Sequence, residues 1–131
     1  MGFREIEHLS DRAVLVTSTS LAGLFKDAVD GMYSVMDVEC EGEACERKIT
    51  VSGPDLETLL VGFLSECLNI AELDHLAVLT AVFDFHADQC SAGVVMAPIK
   101  RMHENIKAVT YSQMEIVQKD GVYETTVVFD L

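Results

Sequence analysis

Residues 109–131 have the sequence VTYSQMEIVQKDGVYETTVVFDL, in which two apolar-rich segments flank Asp120-Gly121. An Asp-Gly pair suits the two-residue type I′ turn of β-hairpins, because both central residues of that turn adopt positive φ angles. The stretch therefore predicts a hairpin with strands at 109–118 and 122–131. It is the strongest local signal for β-structure in the chain.

The register of this hairpin predicts which side chains share a sheet face. A two-residue loop places Lys119 opposite Val122, and counting outward places Tyr111 opposite Asp130. Because side chains alternate between the two faces of a strand, we expect a polar patch around Asp130. Its members would be Lys107, Tyr111, Gln113 and Glu115.

Two amphipathic helices are predicted upstream of the hairpin. Apolar residues recur at helical spacing from Leu21 to Met36, directly after Ser20. A second stripe begins at Leu56, where Pro54 and Asp55 suit a first helical turn, and predicts a helix to about residue 72.

The remaining segments predict short strands and their connections. Strands are expected at 3–8, 13–18, 47–51, 76–88 and 93–96. Near the end of 76–88, Phe83 and Phe85 alternate with acidic and histidine residues. The acidic segment 37–46 predicts an exposed loop, and 100–106 an irregular connection after Pro98. Together these elements predict a single α+β domain spanning 1–131, with two helices packed on a largely antiparallel or mixed β-sheet.

Charge and composition limit the function classes. Nine basic and 22 acidic residues give a net charge of −13, which would repel a phosphate backbone, so direct nucleic-acid binding is not expected. No apolar run reaches the length of a membrane span, and charges interrupt the N-terminal segment where a secretion signal needs an apolar core. We therefore expect a cytoplasmic protein without a membrane partner.

The carboxylates near both ends of the chain are candidate metal ligands. Asp130 and Leu131 together offer several oxygen donors of the kind that calcium prefers, and Asp11 would join them if its strand lay beside the last one. The alternative is a solvated aspartate at residue 130 and an aspartate at residue 11 that binds its own turn. The residue pattern alone leaves both open.

Cysteine and histidine patterns give weaker signals. Cys40 and Cys45 are spaced so that two thiolates could share a zinc ion in a loop, but two further ligands are not evident. His8, with Asp11 and Asp130, could serve a metal-dependent hydrolase. Neither nucleotide-binding glycine motifs nor a nucleophile motif is present, and a general chaperone or adaptor is a further alternative.

Several segments together resemble the archease family. They are Phe3 to Asp11 (FREIEHLSD), Leu24-Phe25 with Gly31-Met32, Asp55 to Leu60 (DLETLL), Ile106 to Tyr111 (IKAVTY) and Val127 to Leu131 (VVFDL). The family pattern commonly has histidine after the tyrosine, where this chain has Ser112. No role is assigned to position 112 for that reason.

The resemblance implies a non-catalytic activator of an RtcB-type RNA ligase in tRNA splicing, which promotes guanylylation and repeated turnover of that ligase. Carried over to matching positions, it implies that Asp11, Asp130 and Leu131 bind a divalent cation. Calcium is the expected ion, with Mg²⁺ or Mn²⁺ as alternatives. Asp55 and Lys107 match positions that act on the partner ligase.

Overall fold

The computed structural model describes residues 1–6 and 11–131, which form two helices and nine strands. The helices are α1 (Leu21–Met36) and α2 (Leu56–Asp74). The strands are β1 (Gly2–Ile6), β2 (Asp11–Ser18), β3 (Val38–Cys40), β4 (Cys45–Ser52), β5 (Leu76–His86), β6 (Gln89–Met102), β7 (Ala108–Thr110), β8 (Val117–Lys119) and β9 (Val122–Asp130).

The strands form two sheets, and every strand pairing among the described residues is antiparallel. In the first sheet the order is β1-β2-β9-β7, and β8 also pairs with β9. In the second sheet β6 is central, with β5 on one side and β3 and β4 in line on the other. The predicted α+β class is confirmed, although the strands divide between two sheets where one was expected.

Both helices contribute to one hydrophobic core that also includes residues of both sheets. The side chain of Ser20 caps α1 by accepting a hydrogen bond from Gly23 N at 2.9 Å, which starts the helix where the sequence predicts it. Phe25 is fully buried, and its ring contacts those of Phe63, Phe83 and Phe85 at centroid separations of 6.2, 5.9 and 5.0 Å. This aromatic cluster joins α1, α2 and β5. No helix among residues 1–6 and 11–131 combines the length and apolar character needed to cross a membrane.

Helix α2 begins at Leu56, after the two residues that the sequence placed in its first turn, and ends two residues beyond the predicted end. Asp55 is its N-cap, and its carboxylate accepts a hydrogen bond from Thr58 N at 2.8 Å. Pro54 therefore precedes the cap instead of occupying the first turn. His75, with a φ of 56°, ends the helix in the left-handed conformation.

The predicted acidic loop at 37–46 is partly wrong. Val38–Cys40 forms β3 and Cys45 begins β4, so the loop between these strands is only the four residues 41–44. These segments lack a hydrophobic period because they lie at the sheet edge with mostly exposed side chains. Ion pairs of Glu39 with Arg101 and of Glu41 with Lys100 bridge them to β6.

Strand β6 continues through Pro98 to Met102, so the predicted strand at 93–96 was too short. The connection predicted at 100–106 is irregular only after Met102. Pro98 falls between the end of β4, which pairs with Met96, and β3, which pairs with Ile99. No partner strand needs an N–H group at that gap, so proline is accommodated. The carbonyl of Pro98 still accepts a hydrogen bond from Glu41 N at 2.9 Å.

The hairpin turn is confirmed, but the predicted pairing beyond it is wrong. Lys119 pairs with Val122, and Asp120 and Gly121 have φ angles of 53° and 77°. Residues 111–116 then leave the sheet, and Ala108, not Tyr111, lies opposite Asp130. The register shifts by three residues, an odd number that moves side chains to the other face.

Packing against helix α2 explains why this segment leaves the sheet. Met114 and Ile116 pack against the hydrophobic core, and Ile116 N donates a hydrogen bond to Glu57 Oε2 at 2.8 Å. Gln113 has a φ of 62°, and Met114 N bonds back to Tyr111 O at 3.0 Å. The excursion therefore gains apolar burial that a regular strand would forgo.

Candidate functional site

The two candidate aspartates lie directly opposite each other at one end of the first sheet. Asp11 begins β2, Asp130 ends β9, and the antiparallel register pairs them. Directly opposed residues have Cβ atoms about 4.5–5.5 Å apart. Phe129 is fully buried and belongs to the hydrophobic core, so by alternation the aspartate pair projects from the opposite face of this sheet. The expected adjacency of the two strands is thus present.

The end of β9 also brings Leu131 and Lys107 close to this pair. Lys107 N donates a hydrogen bond to Asp130 O at 2.7 Å, which fixes the backbone before β7 against the end of β9. The Leu131 side chain packs against the hydrophobic core, so the residue following Asp130 is anchored. Four of the predicted residues, Asp11, Asp130, Leu131 and Lys107, therefore meet at one end of the sheet.

The rest of the predicted polar patch does not form as expected. Tyr111 is 57% exposed, and with Gln113 and Glu115 it belongs to the excursion between β7 and β8. The prediction counted a continuous strand from the turn to Lys107, and the three-residue shift invalidates it. Ala108, and not Lys107, lies opposite Asp130 on its face of the sheet, so Lys107 reaches this end through its backbone. His8 lies outside the described residues.

Asp55 occupies a different structural context. Its side chain caps α2, and the hydrogen bonds from Thr58 lower the pKa of its carboxyl group below the ordinary value. The capping contact alone explains why an acidic residue occupies position 55, and no contact with a partner protein is needed for that. The structure gives Asp55 a part in folding and leaves its expected role toward the ligase as a prediction.

Glu57 is a residue whose part the sequence analysis missed. Its carboxylate accepts a hydrogen bond from the backbone N–H of Ile116. It thereby fastens the excursion at 111–116 to the first turn of α2. No spacing in the sequence connects these two positions, so only the tertiary structure reveals the contact.

The donor set at the sheet end fits a divalent cation that prefers oxygen. Two like charges directly opposed across a ladder destabilise it, and a cation between them would convert that repulsion into attraction. Carboxylate oxygens suit Ca²⁺, Mg²⁺ and Mn²⁺. Within 1–6 and 11–131 no three residues of the types His, Cys, Asp and Glu gather at one point. Backbone oxygens and water are the ligands that complete such sites around two carboxylates.

The alternative zinc site at Cys40 and Cys45 does not match the geometry. These residues pair with Ile99 and Met96, three positions apart along β6, which places them roughly 10 Å apart along the strand direction. Thiolates that share one zinc ion must each lie about 2.3 Å from it. The structure therefore does not bring the two cysteines together as ligands.

Comparison with known proteins identifies the family. The model of the Archease protein family matches residues 3–131. The chain belongs to the archease family. The curated archease of Methanosarcina mazei is 29% identical and is aligned over 98% of this chain and 95% of its own length. The archease of Methanothermobacter thermautotrophicus is also 29% identical, over 99% of both chains.

Solved structures share the archease fold. The crystal structure of an archease from Thermotoga maritima, described as a possible chaperone, has a TM-score of 0.75 at 19% identity and covers 98% of this chain and 96% of its own. The solution structure of a Methanobacterium thermoautotrophicum protein has a TM-score of 0.76 at 24% identity, with 99% of both chains covered. At these identities the likeness supports the fold alone.

Proposed function

We propose that this protein is a non-catalytic, cytoplasmic activator of an RtcB-type RNA ligase in tRNA splicing. It promotes guanylylation of the ligase and its repeated turnover. Family membership supports the proposal because the matched model spans residues 3–131, which include Asp11, Lys107, Asp130 and Leu131. The strongly acidic chain, with its net charge of −13, is suited to contact a protein and not the RNA itself.

The facing pair of Asp11 and Asp130 is the observation that carries this proposal. Together with backbone oxygens of Leu131, the two carboxylates would hold a divalent cation, calcium in the first instance, with Mg²⁺ and Mn²⁺ as alternatives. Such an ion neutralises charge on phosphate oxygens, which guanylyl transfer requires. Lys107, exposed and held beside Asp130 by its backbone, would contact acidic groups of the ligase or its nucleotide.

A ligation assay under multiple turnover tests the partner and the site together. A purified RtcB-type ligase is assayed with GTP and a broken tRNA substrate, with and without this protein. We expect the wild type to raise both guanylylation and the number of turnovers, and Asp11→Asn and Asp130→Asn to lose that stimulation. Asp84→Asn is the matched control, since Asp84 is an exposed strand aspartate on β5 in the other sheet.

The outcomes separate the alternatives from the proposal. Full stimulation by both site variants would show that the metal site is not needed for activation. No stimulation by the wild type would show that the ligase is not the partner of this protein. A control reaction that contains this protein and a phosphoester but no ligase tests the alternative that the protein is a metal-dependent hydrolase. Only a hydrolase would turn over the phosphoester in that reaction.

A general chaperone is the second candidate, favoured by the description of the Thermotoga maritima archease as a possible chaperone. Exposed apolar side chains such as Val82 and Leu79 offer the kind of surface that such a protein uses. In that case the protein would suppress aggregation of unrelated client proteins, and Asp11→Asn would behave as the wild type. Stimulation confined to the ligase and abolished by Asp11→Asn contradicts this second function.

A further inference from the structure

Strand β4 presents an open edge. Among the described residues it pairs only with β6, and no strand covers its other side. Gly53 N donates to Asp88 O at 2.9 Å and continues this ladder, so odd-numbered residues direct their backbone groups toward β6. Even-numbered residues, among them Glu46 and Lys48, consequently direct their N–H and C=O groups outward.

The charges on this edge differ from those of the rest of the molecule. Although the chain carries a net charge of −13, Glu46-Arg47-Lys48 contains two basic residues and one acidic residue. All three are exposed, and Glu46 and Lys48 share the outer face of the sheet. The segment is therefore a place where two copies of an acidic chain can approach each other.

We propose that β4 pairs in antiparallel fashion with β4 of a second copy of this chain, about a twofold axis through Arg47. In that register Glu46 lies directly opposite Lys48 of the second copy, and the symmetry repeats the pair. The outward backbone groups of Glu46 and Lys48 then hydrogen-bond across the axis. The two four-stranded sheets become one continuous sheet.

The charge pattern selects this register over its neighbours. An axis through Lys48 would place two lysines opposite each other, and an axis through Glu46 would place two glutamates opposite each other, both of which are destabilising. An axis through Ile49 leaves Glu46 opposite Ser52 and gains no charge pairing. Among registers that pair residues of β4 with one another, centring on Arg47 is the one that brings opposite charges together twice.

The surroundings of Arg47 favour the same axis. Its guanidinium is bound to Asp74 at 2.7 Å, so each arginine at the axis is already neutralised by its own chain. Leu73, adjacent to that aspartate, is 80% exposed and borders an open groove of about 440 Å³ between β4 and α2. Pairing of the two edges would bring both copies of Leu73 toward the axis and remove apolar surface from water.

Sedimentation equilibrium on the full chain, up to about 1 mM, tests the pairing because a single edge contact gives only a weak dimer. We expect a concentration-dependent dimer for the wild type. Glu46→Lys and Lys48→Glu should each raise the dimer dissociation constant by about tenfold or more, because each replaces two opposite-charge pairs by like-charge pairs. The double variant Glu46→Lys/Lys48→Glu exchanges the charges and should restore wild-type affinity.

The pair of single variants separates local pairing from overall charge. Glu46→Lys makes the chain less acidic and Lys48→Glu makes it more acidic, yet both are expected to weaken the dimer. Lys119→Glu, on β8, changes the net charge as Lys48→Glu does and should leave the dissociation constant unchanged. Circular dichroism melting confirms that each variant is folded.

Three results would overturn the proposal. The first is a wild type that remains monomeric at about 1 mM. The second is a dimer whose dissociation constant is the same in the wild type and in both single charge-reversal variants. That result is expected if the chains associate through the exposed apolar face around Val82. The third is a double variant that stays as weak as the singles, which would show that Glu46 and Lys48 do not face each other across the axis.

Discussion

Asp130 lies directly opposite Asp11 across the β2–β9 ladder, so one acidic residue near the start of the chain faces one at its end. Cross-strand neighbours normally carry opposite charges or apolar side chains, because like charges at this separation repel. The fold keeps the pair in register through the ladder that continues inward from Arg12-Phe129 to Ser18-Tyr123. The rest of the sheet thus fixes the backbone of both aspartates at directly opposed positions.

This repulsion predicts opposite effects of Asp130→Asn with and without a cation. When a chelator has removed divalent cations, Asp130→Asn should melt at the same temperature as the wild type or higher, because the variant lacks one of the two opposed negative charges. Calcium at about 100 times its dissociation constant stabilises a binding-competent protein by about 2.7 kcal/mol, which corresponds to several degrees. Differential scanning calorimetry should therefore show a calcium-dependent rise for the wild type and for Asp84→Asn, but not for Asp130→Asn. Equal rises in all three would contradict a cation site at this pair.

Local signals in the sequence were sufficient for the helices and for the hairpin turn. Ser20 and Asp55 begin their helices through contacts that span only three residues, and Asp120-Gly121 needs only its own backbone preference. Such features do not depend on the tertiary structure. The strand expected at 13–18 begins two residues earlier in the structure, so Asp11 is the first residue of β2 and not part of the connection before it.

Long-range contacts decided the features that the sequence did not predict. The register around Asp130 depends on the excursion at 111–116, which exists because Glu57 and the core bind Met114 and Ile116. The continuation of β6 through Pro98 depends on the gap between β3 and β4. The adjacency of Asp11 and Asp130 was a hypothesis from the residue types, and the pairing of β2 with β9 supplied the geometry.

Two substitutions at Asp55 distinguish its capping of α2 from its expected role toward the ligase. Asp55→Ala removes the acceptor for Thr58 N and should lower the melting temperature by a few degrees, whereas Asp55→Asn keeps an acceptor and much of the stability. If the ligase needs the negative charge, Asp55→Asn would lose stimulation while its melting temperature stays near the wild-type value. Unchanged stimulation by Asp55→Asn would limit Asp55 to capping.

The pH dependence of stability gives a second test of the Asp55 cap. Hydrogen bonds from Thr58 lower the pKa of Asp55 in the folded state below 3.8. The charge-dependent stabilisation is therefore complete above the unfolded-state pKa and is lost as the pH falls through the lowered folded-state pKa. The difference in melting temperature between the wild type and Asp55→Asn should shrink on acidification below pH 3.8. A constant difference between neutral and acid pH would contradict this linkage.

Glu57 should control the order of the excursion at 111–116. Glu57→Ala removes the acceptor of the Ile116 amide, and amide hydrogen exchange at Ile116 should accelerate, whereas exchange in the core of α1 stays slow. Glu57→Gln retains a side-chain oxygen and should preserve most of the protection. Equal acceleration in both variants would show that charge, not the hydrogen bond, holds the segment.

The four cysteines should differ widely in reactivity. Cys40 and Cys45 are exposed, whereas Cys67 and Cys90 are fully buried. Burial raises the pKa of Cys67 to about 12 and that of Cys90 to about 11, with smaller contributions from Glu66 and Asp84 respectively. At pH 8 their thiolate fractions are on the order of one in a thousand or less, and the thiolate is the nucleophile.

A thiol-reactive reagent at pH 8 should therefore modify two cysteines of the native protein rapidly and the other two only after unfolding. Partial burial also raises the pKa of the Cys40 thiol, so Cys45 should react before Cys40. Peptide mass spectrometry after timed quenching assigns each modification to its residue. Rapid native-state modification of Cys67 would contradict the packed interface of α2, because the reagent reaches that sulfur only if the helix separates from the core.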